Sequence, residues 1–370
     1  MYLFVCLTAE GRLIASKKDV RNLIKPYLRG AKPYNFTDFK DALRLHLNES
    51  PYPPPKFVLD AVSSWLDRGN RYPTPDLTER FRRLAAEYNG VEPSNIYPSP
   101  GGDGGIRQLF YNFLAAGSTV TINSPSYSMY EVYSAATGMR LLKVNLREEG
   151  DSWKEDLPSL YTLAAQSDLV AIDDPNNPTG SPMLEAKREL IEELSSRAKG
   201  LVLIDEAYYE FSKYTVAKMV QDFPNVIALR TMSKAFSMAA FRVGYLIADR
   251  EIVDALMKVS TPFDVALPGL VAGIAALESP SYALRVADEV SRNRERLRRE
   301  LLSLGLKVYQ SVTNFLLVRS ETDILTPLLS KGIAIRKYGK DLYRITVGTE
   351  AENRILVTSL GGILEDSRSK

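Results

Sequence analysis

Short apolar runs alternate with helical segments from about residue 46 to residue 265. The clearest apolar runs are T-V-T-I-N, V-A-I-D-D, L-V-L-I-D and V-I-A-L-R. Runs that are apolar at almost every position are typical of parallel strands that are buried on both faces of a sheet. The alternation therefore predicts an α/β fold with a mainly parallel sheet that is covered by helices on both faces.

The C-terminal part of the chain has a different pattern. Pro262 and Pro268 bracket a break, and a helical pattern then runs from about residue 281 to residue 304. Its charged run R-N-R-E-R-L-R-R-E has acidic and basic side chains three or four residues apart, as on a solvated helix face. Short strand-like segments then alternate with helical ones: K-V-Y, N-F-L-L-V, I-A-I-R and Y-R-I-T-V. The pattern predicts a smaller α+β domain.

The first 45 residues fit neither pattern. Residues 19 to 45 are polar, aromatic and proline-bearing, which suits an arm that wraps around a partner. The apolar run from Tyr2 to Leu7 is too short to cross a bilayer and lacks the basic leader of a signal peptide, so we expect an edge strand or an interface arm. The predicted units are an N-terminal arm that forms part of the small domain (1–45), a large domain (46–265) and a small C-terminal domain (266–370).

Composition favours a cytoplasmic enzyme over a protein that binds nucleic acid or a membrane. The 370 residues are 45% hydrophobic and 25% charged, and their formal net charge is only +2. Such a balance offers no overall attraction to nucleic acid or to anionic lipid. The single cysteine, Cys6, excludes an internal disulfide and a cysteine-cluster metal site, and one histidine, His46, cannot build a metal site either. We expect no metal, and no functional role for His46.

Lys234, in T-M-S-K-A-F, is the first candidate for chemistry. A desolvated lysine amine can lose its proton and condense with a carbonyl to give a Schiff base. Ser233 precedes it, and Arg242 follows eight residues later with the forked donors that a phosphate group favours. Together they suit a phosphorylated aldehyde. Taken alone, the segment would equally fit a surface turn.

Asp205 ends the apolar run L-V-L-I-D, at the edge of the sheet where open α/β folds place their ligands. A carboxylate there can pair with a protonated pyridine nitrogen and keep that ring an electron acceptor. Tyr208, three residues later, could donate its hydroxyl group to a ring oxygen. The alternative is that Asp205 only caps the following helix.

Two loops complete the predicted site. In D-D-P-N-N-P-T-G the prolines and the glycine shape a turn that leaves the amide of Asn177 available to a ring oxygen. In S-P-G-G-D-G-G the glycines precede a helical pattern, which leaves backbone N–H groups available for a phosphate group at a helix N-terminus. Gly101, Gly102 and Asp103 would form that phosphate cradle, with Ser233 and Arg242 opposite.

The order of these motifs resembles that of the fold-type-I pyridoxal-phosphate aminotransferases. The resemblance covers roughly residues 20 to 360 and rests on G-G-D-G, S-Y-S-M-Y, P-N-N-P-T-G, D-E-A-Y, S-K-A-F, F-R-V-G-Y and Y-R-I-T-V-G. Within that family the chain is most similar to the histidinol-phosphate aminotransferases, through N-L-I-K-P-Y, L-N-E-S-P-Y, R-Y-P and T-M-S-K-A-F. The resemblance implies an aspartate-aminotransferase-like fold with pyridoxal 5′-phosphate as cofactor.

The resemblance also implies a role for each motif residue. Lys234 would carry the cofactor and shuttle protons, with Asp205 at the pyridine nitrogen. The other implied roles are as follows: Asn177 and Tyr208 at the ring oxygen; Tyr127 stacked on the ring face; Gly102, Asp103, Ser233 and Arg242 at the phosphate group; Tyr72 at the same phosphate group from the other subunit; Arg344 on the acidic group of the substrate, helped by Arg336 and Tyr27. Asn48 and Tyr34 are plausible lining residues. Tyr72 thereby implies a homodimer with shared active sites, and Arg344 on the small domain suggests that the domains close on the substrate.

The implied reaction is transamination between histidinol phosphate and 2-oxoglutarate, in histidine biosynthesis. Alternatives with the same cofactor set are decarboxylation of an amino-acid phosphate, as in threonine-phosphate decarboxylases, and transamination of aromatic amino acids. A non-catalytic cofactor-binding protein is a more remote alternative. The chain departs from the family at Gly104, where an acidic residue is usual, and has S-M-A-A-F-R in place of G-L-A-G-L-R. These departures concern the substrate rather than the lysine, aspartate and arginine chemistry.

Overall fold

The computed structural model describes residues 19–29, 39 and 41–368. The apolar run from Tyr2 to Leu7 and most of the predicted arm lie outside these residues. The strands are β1 (Leu43–Arg44), β2 (Ile96–Ser99), β3 (Thr119–Ser124), β4 (Arg140–Asn145), β5 (Arg147–Glu149), β6 (Ser152–Lys154), β7 (Leu169–Asp173), β8 (Leu201–Asp205), β9 (Val226–Thr231), β10 (Gly244–Ile247), β11 (Lys307–Val308), β12 (Phe315–Arg319), β13 (Ile333–Ala334), β14 (Arg336–Tyr338) and β15 (Leu342–Thr346).

Helices cover the large sheet and surround the smaller one. They are α1 (Lys56–Ser63), α2 (Pro75–Asn89), α3 (Gly101–Phe113), α4 (Met129–Thr137), α5 (Leu157–Ala164), α6 (Arg188–Arg197), α7 (Tyr209–Ser212), α8 (Arg250–Val259), α9 (Leu267–Glu278), α10 (Ser281–Ser303), α11 (Leu325–Ser330) and α12 (Glu350–Arg368). No helix within the described residues is long and apolar enough to span a membrane.

The large sheet has seven strands in the order β2-β10-β9-β8-β7-β3-β4. Strand β10 runs antiparallel to the other six strands, which are parallel to one another. Alternate residues of one strand enter two separate cores: Val170 and Ile172 pack on one face of the sheet, Leu169 and Ala171 on the other. This two-sided burial is the reason for the apolar runs in the sequence, and it confirms the predicted fold class.

The smaller sheet is antiparallel, in the order β11-β12-β15-β14. In addition, β1 near the beginning of the chain pairs in parallel with β13, with Leu43 opposite Ile333. The segment around residue 43 is therefore joined to the C-terminal part of the fold. The bounds of the predicted domains stay a prediction.

The carboxyl ends of the central parallel strands meet at one edge of the large sheet. Asp173 at the end of β7 lies in register with Asp205 at the end of β8. Ser124 ends β3 and Thr231 ends β9 at the same edge. Polar residues at the ends of otherwise apolar strands are therefore gathered where such folds place their ligands.

Candidate active site

A cavity of about 250 Å³ opens at this edge of the sheet. Most of the residues predicted for the site line it, namely Asn48, Gly102, Asp103, Tyr127, Asn177, Asp205, Tyr208, Ser233, Lys234, Arg242, Arg336 and Arg344. They include residues of the large sheet and of the smaller C-terminal sheet, so the cavity lies between the two sheets. Gly101, Tyr72 and Tyr27 are not among its lining residues.

Lys234 follows strand β9 and places its amine in the cavity. The Nζ atom donates to the backbone carbonyl oxygens of Asn48, at 3.0 Å, and Leu47, at 3.4 Å. Burial of the amine, together with the positive charge of Arg344, lowers the pKa of Lys234 to about 8. Lys234 is therefore not part of a surface turn, and a substantial fraction of its amine is neutral in mildly alkaline solution.

The carboxylate of Asp205 is almost completely buried at the end of β8. Its Oδ2 atom accepts a hydrogen bond from the hydroxyl group of Tyr130 at 2.9 Å. Its Oδ1 atom accepts one from the backbone N–H of Ala207 at 3.0 Å, so Asp205 also holds the turn that follows. Burial raises the pKa of Asp205 to about 6. Within the described residues no lysine, arginine or histidine forms an ion pair with it, so a cationic ring nitrogen fits as its missing partner.

Tyr208 lies beside Asp205 with its hydroxyl group on the cavity wall. The hydroxyl oxygen accepts a hydrogen bond from Nδ2 of Asn48 at 2.9 Å, and the tyrosine ring packs edge-on against Phe315. Burial raises the pKa of Tyr208 above its ordinary value, so the hydroxyl group stays protonated and can donate. Asn48 also accepts from Lys234 through its backbone oxygen and thus links both side chains.

The predicted phosphate cradle is the N-terminus of α3. Gly102 and Asp103 lie in its first turn, whose N–H groups have no partner within the helix. Gly101 has a positive φ of 73°, and a Cβ atom there would lie 2.6 Å from Nη2 of Arg242. A side chain at this position would therefore displace the arginine from the cavity. The hydroxyl group of Ser233 lies on the wall as well, so the set fits a phosphate group.

Three contacts hold the cradle together. Asp103 accepts a hydrogen bond from the hydroxyl group of Tyr127 at 2.9 Å and forms an ion pair with Arg242 at 3.2 Å. Ser233 accepts from the hydroxyl group of Thr231 at 2.9 Å. Gly104 stands where the family usually has an acidic residue. A side chain does not fit there, since a Cβ atom would lie 2.5 Å from the ring of Pro100.

Arg344 is a buried guanidinium at the other end of the cavity. Its Nη1 atom donates to Oδ1 of Asn177 at 2.5 Å and to the hydroxyl oxygen of Tyr338 at 3.0 Å, and its Nη2 atom donates to the carbonyl oxygen of His46 at 2.7 Å. Its Nε–H has no partner among the described residues although it is buried. Arg336 lies opposite Arg344 in the β14–β15 ladder and also lines the cavity. Two guanidinium groups at one end of a cavity suit an anionic group of a substrate.

Tyr72 and Tyr27 are not in the cavity of their own chain. The side chain of Tyr72 is 75% exposed and stacks on the ring of Phe263 at a centroid distance of 4.3 Å. The ring of Tyr27 packs against Gly138, where a Cβ atom would lie 2.8 Å from it. Their predicted contacts with cofactor and substrate therefore require a second subunit or a movement, and they stay predictions. Tyr34, another candidate for the pocket, lies outside the described residues.

The sequence analysis missed several residues that the structure brings to the site. Asp173 ends its strand in the same way as Asp205, which is a signal that the sequence contained. Tyr130 belongs to the quoted S-Y-S-M-Y, but only its contact with Asp205 reveals its position. For Tyr338 the sequence offered no signal. His46, expected to have no role, lines the cavity and holds Arg344, but through its backbone carbonyl oxygen.

Comparisons with known proteins agree with this geometry. Residues 40–360 match the model of the family described as aminotransferase class I and II. The chain belongs to the class I and II aminotransferases. A histidinol-phosphate aminotransferase of Sulfurisphaera tokodaii is 53% identical to this aminotransferase over 357 residues, which are 96% of this chain and 100% of the relative. The histidinol-phosphate aminotransferase of Thermoanaerobacter pseudethanolicus is 33% identical, and the match covers 93% of this chain and 99% of that relative.

Solved structures are similar as well. The crystal structure of histidinol-phosphate aminotransferase from Sinorhizobium meliloti in complex with pyridoxal-5′-phosphate has a TM-score of 0.84 and 28% identity, and the match covers 93% of this chain and 98% of that one. A mutant aspartate aminotransferase of Thermus thermophilus shares the fold, with a TM-score of 0.78 at 20% identity over 92% of this chain and 99% of that one. The family resemblance and the aspartate-aminotransferase-like fold are thereby confirmed. The roles of the individual residues stay predictions.

Proposed function

We propose that this aminotransferase uses pyridoxal 5′-phosphate to transfer the amino group of histidinol phosphate to 2-oxoglutarate, which yields imidazole acetol phosphate and glutamate. One observation carries the proposal: the amine of Lys234 and the buried carboxylate of Asp205, which has no cationic partner among the described residues, face the same cavity as the phosphate cradle of α3. The names of the relatives support the substrate.

The residues present fit the cofactor at each of its functional groups. The N-terminus of α3, Ser233 and Arg242 would hold its phosphate group, and Tyr127 would stack on its ring. Asn177 and Tyr208 would bind the ring oxygen. Asp205 would bind the pyridine nitrogen, because an ion pair with that nitrogen would offset the free-energy cost of the buried charge on Asp205.

When bound, pyridoxal phosphate supplies an aldehyde that captures amines and a ring that accepts electrons. The chain supplies the proton transfers. Lys234 would take the proton from Cα of the amino donor and return a proton from the same amine, and its lowered pKa suits a base near neutral pH. Asp205 would hold a proton at the pyridine nitrogen. Asn48 orients Lys234 through the hydrogen bond to its backbone oxygen.

One anion site serves both half-reactions. Histidinol phosphate presents a phosphate group where glutamate presents a carboxylate, and a guanidinium binds either one because each offers paired oxygens. Arg344 is held in place by Asn177 and Tyr338 before the substrate arrives, and its buried Nε–H is left for an anion. An amine without an anionic group would leave this site unmatched, so the site favours donors that carry a phosphate or a carboxylate group.

A visible-absorbance titration of the purified enzyme tests the proposal. We expect a yellow band from the lysine-bound cofactor that is lost on addition of histidinol phosphate alone and returns with 2-oxoglutarate. A band that histidinol phosphate does not change would contradict the substrate and favour an aromatic amino acid or the decarboxylation of an amino-acid phosphate. Absence of the band after addition of pyridoxal phosphate would contradict the cofactor.

Covalent capture of the cofactor should depend on pH through Lys234. Only the neutral amine attacks an aldehyde, so the capture rate should rise roughly tenfold per pH unit at low pH and level off above the pKa of about 8. Stopped-flow absorbance after mixing apo-enzyme with pyridoxal phosphate measures this profile. Arg344→Gln removes a charge that lowers the pKa and should move the midpoint upward. A wild-type midpoint near the ordinary lysine value of about 10.4 would contradict the assignment.

We further propose a homodimer in which Tyr72 completes the cofactor site of the partner subunit. Its exposed ring and its distance from its own cavity support this arrangement. Lys234→Ala and Tyr72→Ala should each have low activity. A mixture of the two should recover up to about a quarter of the wild-type sites, because half of the random dimers are hybrids and each hybrid has one intact site.

The control for this experiment is Tyr111→Ala, another exposed tyrosine, which should keep full activity. No recovery after subunit exchange would mean that Tyr72 acts within its own chain or not at all.

The substrates are small soluble anions and the sequence has a single cysteine, so we place the reaction in the cytoplasm, without nucleic acid or membrane partners.

A further inference from the structure

One buried carboxylate next to the proposed cofactor site has no part in the reaction described above. Asp173 is 2% exposed at the end of β7. Its Oδ1 atom accepts hydrogen bonds from the hydroxyl group of Ser126 at 3.0 Å and from Nδ2 of Asn176 at 2.9 Å. Its Oδ2 atom accepts from the backbone N–H groups of Tyr127 at 3.2 Å and of Asn177 at 2.8 Å. Four donors from two loops therefore converge on one side chain.

The two loops follow different strands, and each bears a residue of the proposed cofactor site. Tyr127 lies after β3 and Asn177 after β7, and both line the cavity. A further hydrogen bond joins the loops, from Nδ2 of Asn176 to the carbonyl oxygen of Pro125 at 3.0 Å. Because Oδ2 of Asp173 binds both backbone N–H groups, it sets the distance between the residue on the ring face and the residue at the ring oxygen.

We propose that Asp173 is a positioning residue that holds Tyr127 and Asn177 at the places where they contact the cofactor ring. The inference rests on the proposed cofactor. It extends to the substrate, because the amide oxygen of Asn177 accepts a hydrogen bond from Arg344 at 2.5 Å. A shift of the loop after β7 would therefore disturb both the cofactor and the anion site.

A carboxylate suits this position because all four of its neighbours donate. An ionised carboxylate only accepts hydrogen bonds. A side chain that donates would instead face other donors here, and those donors would be left without partners in a buried environment. Burial raises the pKa of Asp173 to about 7, and the nearby Asp205 contributes in the same direction. A cationic pyridine nitrogen beside Asp205 would favour the ionised form of both carboxylates. The cofactor and the two loops should therefore stabilise each other.

The test compares Asp173→Ala with the control Asp174→Ala. Asp174 is equally buried, and its carboxylate also accepts backbone N–H groups, from Met183, Leu184 and Glu185, but it does not line the cavity. Both substitutions should lower the melting temperature of the apo-enzyme. Only a positioning role of Asp173 predicts that the two variants differ in how they hold the cofactor.

We expect Asp173→Ala to bind pyridoxal phosphate at least about tenfold more weakly, since the variant loses all four hydrogen bonds, including the two that hold the backbone of Tyr127 and Asn177. The circular dichroism that the bound cofactor acquires from its surroundings should weaken too, and KM for the amino donor should rise through Arg344. Asp173→Asn should recover part of the affinity, because its oxygen can still accept from both backbone N–H groups, although its amide nitrogen would face the donor Nδ2 of Asn176. Asp174→Ala should keep the wild-type dissociation constant and dichroism.

Two results would overturn the inference: wild-type affinity and dichroism in Asp173→Ala, or the same losses in Asp174→Ala. If Asp173→Ala does not fold, Asp173→Ser serves instead, because the shorter serine side chain reaches at most one of the two backbone N–H groups. Wild-type affinity for pyridoxal phosphate in Asp173→Ser would overturn the inference equally. A wild-type enzyme that binds no pyridoxal phosphate would overturn the proposed cofactor, and this inference with it. Normal binding by the wild type and unchanged binding by the variant would overturn this inference alone.

Discussion

Lys234→Ala should reduce the turnover of histidinol phosphate by at least roughly 10⁴-fold. The substitution removes the amine that lines the cavity and hydrogen-bonds to the backbone of Asn48. Under the proposed function, the enzyme would thereby lose both the covalent attachment of the cofactor and the base for the Cα proton. Turnover is measured as glutamate formed per enzyme, and covalent attachment by borohydride reduction followed by mass spectrometry.

The matched control is Lys331→Ala, since Lys331 is an exposed lysine remote from the cavity. It should keep wild-type turnover and the reduced cofactor–lysine adduct. Lys234→Ala should still bind pyridoxal phosphate without a covalent bond, because Asp205, Tyr127 and the N-terminus of α3 are intact. Substantial turnover in Lys234→Ala, or an adduct on another lysine in the wild type, would contradict the site.

Asp205→Asn should lower turnover by roughly 10²- to 10⁴-fold while the fold stays intact. An amide has nearly the same shape as the carboxylate but cannot pair with a protonated pyridine nitrogen. Loss of one partner from a buried ion pair costs roughly 3–5 kcal/mol, which corresponds to that range of rates. Since burial already disfavours the charged carboxylate, the variant should unfold at the same temperature as the wild type or higher when both are free of cofactor.

Tyr130→Phe provides a graded comparison for Asp205→Asn. It removes a single hydrogen bond to Oδ2 of Asp205 and leaves the carboxylate in place, so it should cost about 1.5–3 kcal/mol in cofactor affinity or rate. Steady-state kinetics and the absorbance spectrum of the bound cofactor measure both variants. An Asp205→Asn enzyme with near wild-type turnover would show that Asp205 serves only the turn at Ala207.

The sequence predicted the layered fold because apolar runs have a direct physical cause. A strand that is buried on both faces must be apolar at nearly every position, as in β7, β8 and β9. The predicted helix from about residue 281 to residue 304 is α10, Ser281–Ser303. The predicted strand I-A-I-R was wrong in one respect: Ile333–Ala334 pairs with β1, whereas Arg336–Tyr338 pairs with β15. A change of partner between neighbouring residues has no signal in local periodicity.

The candidates that the residues themselves indicated, without the family resemblance, share one property, namely a local pattern with its own chemistry. Lys234 follows a hydroxyl group and precedes an arginine, Asp205 ends an apolar strand, and the glycines before α3 expose backbone N–H groups. Each pattern lies within a few residues of the chain. The family that these patterns indicated is confirmed, together with the fold.

Only the tertiary structure revealed which distant residues contact one another. Tyr130, which the sequence did not single out, meets Asp205 across 75 residues, and the two candidates Arg344 and Asn177 meet across 167 residues. Asp173 accepts hydrogen bonds from the loop after its own strand, β7, and from the loop after β3. By itself the sequence determined the layers of the fold and the chemistry of its motifs, because burial and reactive groups are properties of short segments. The structure decided which side chains support those motifs, because that depends on how distant segments pack.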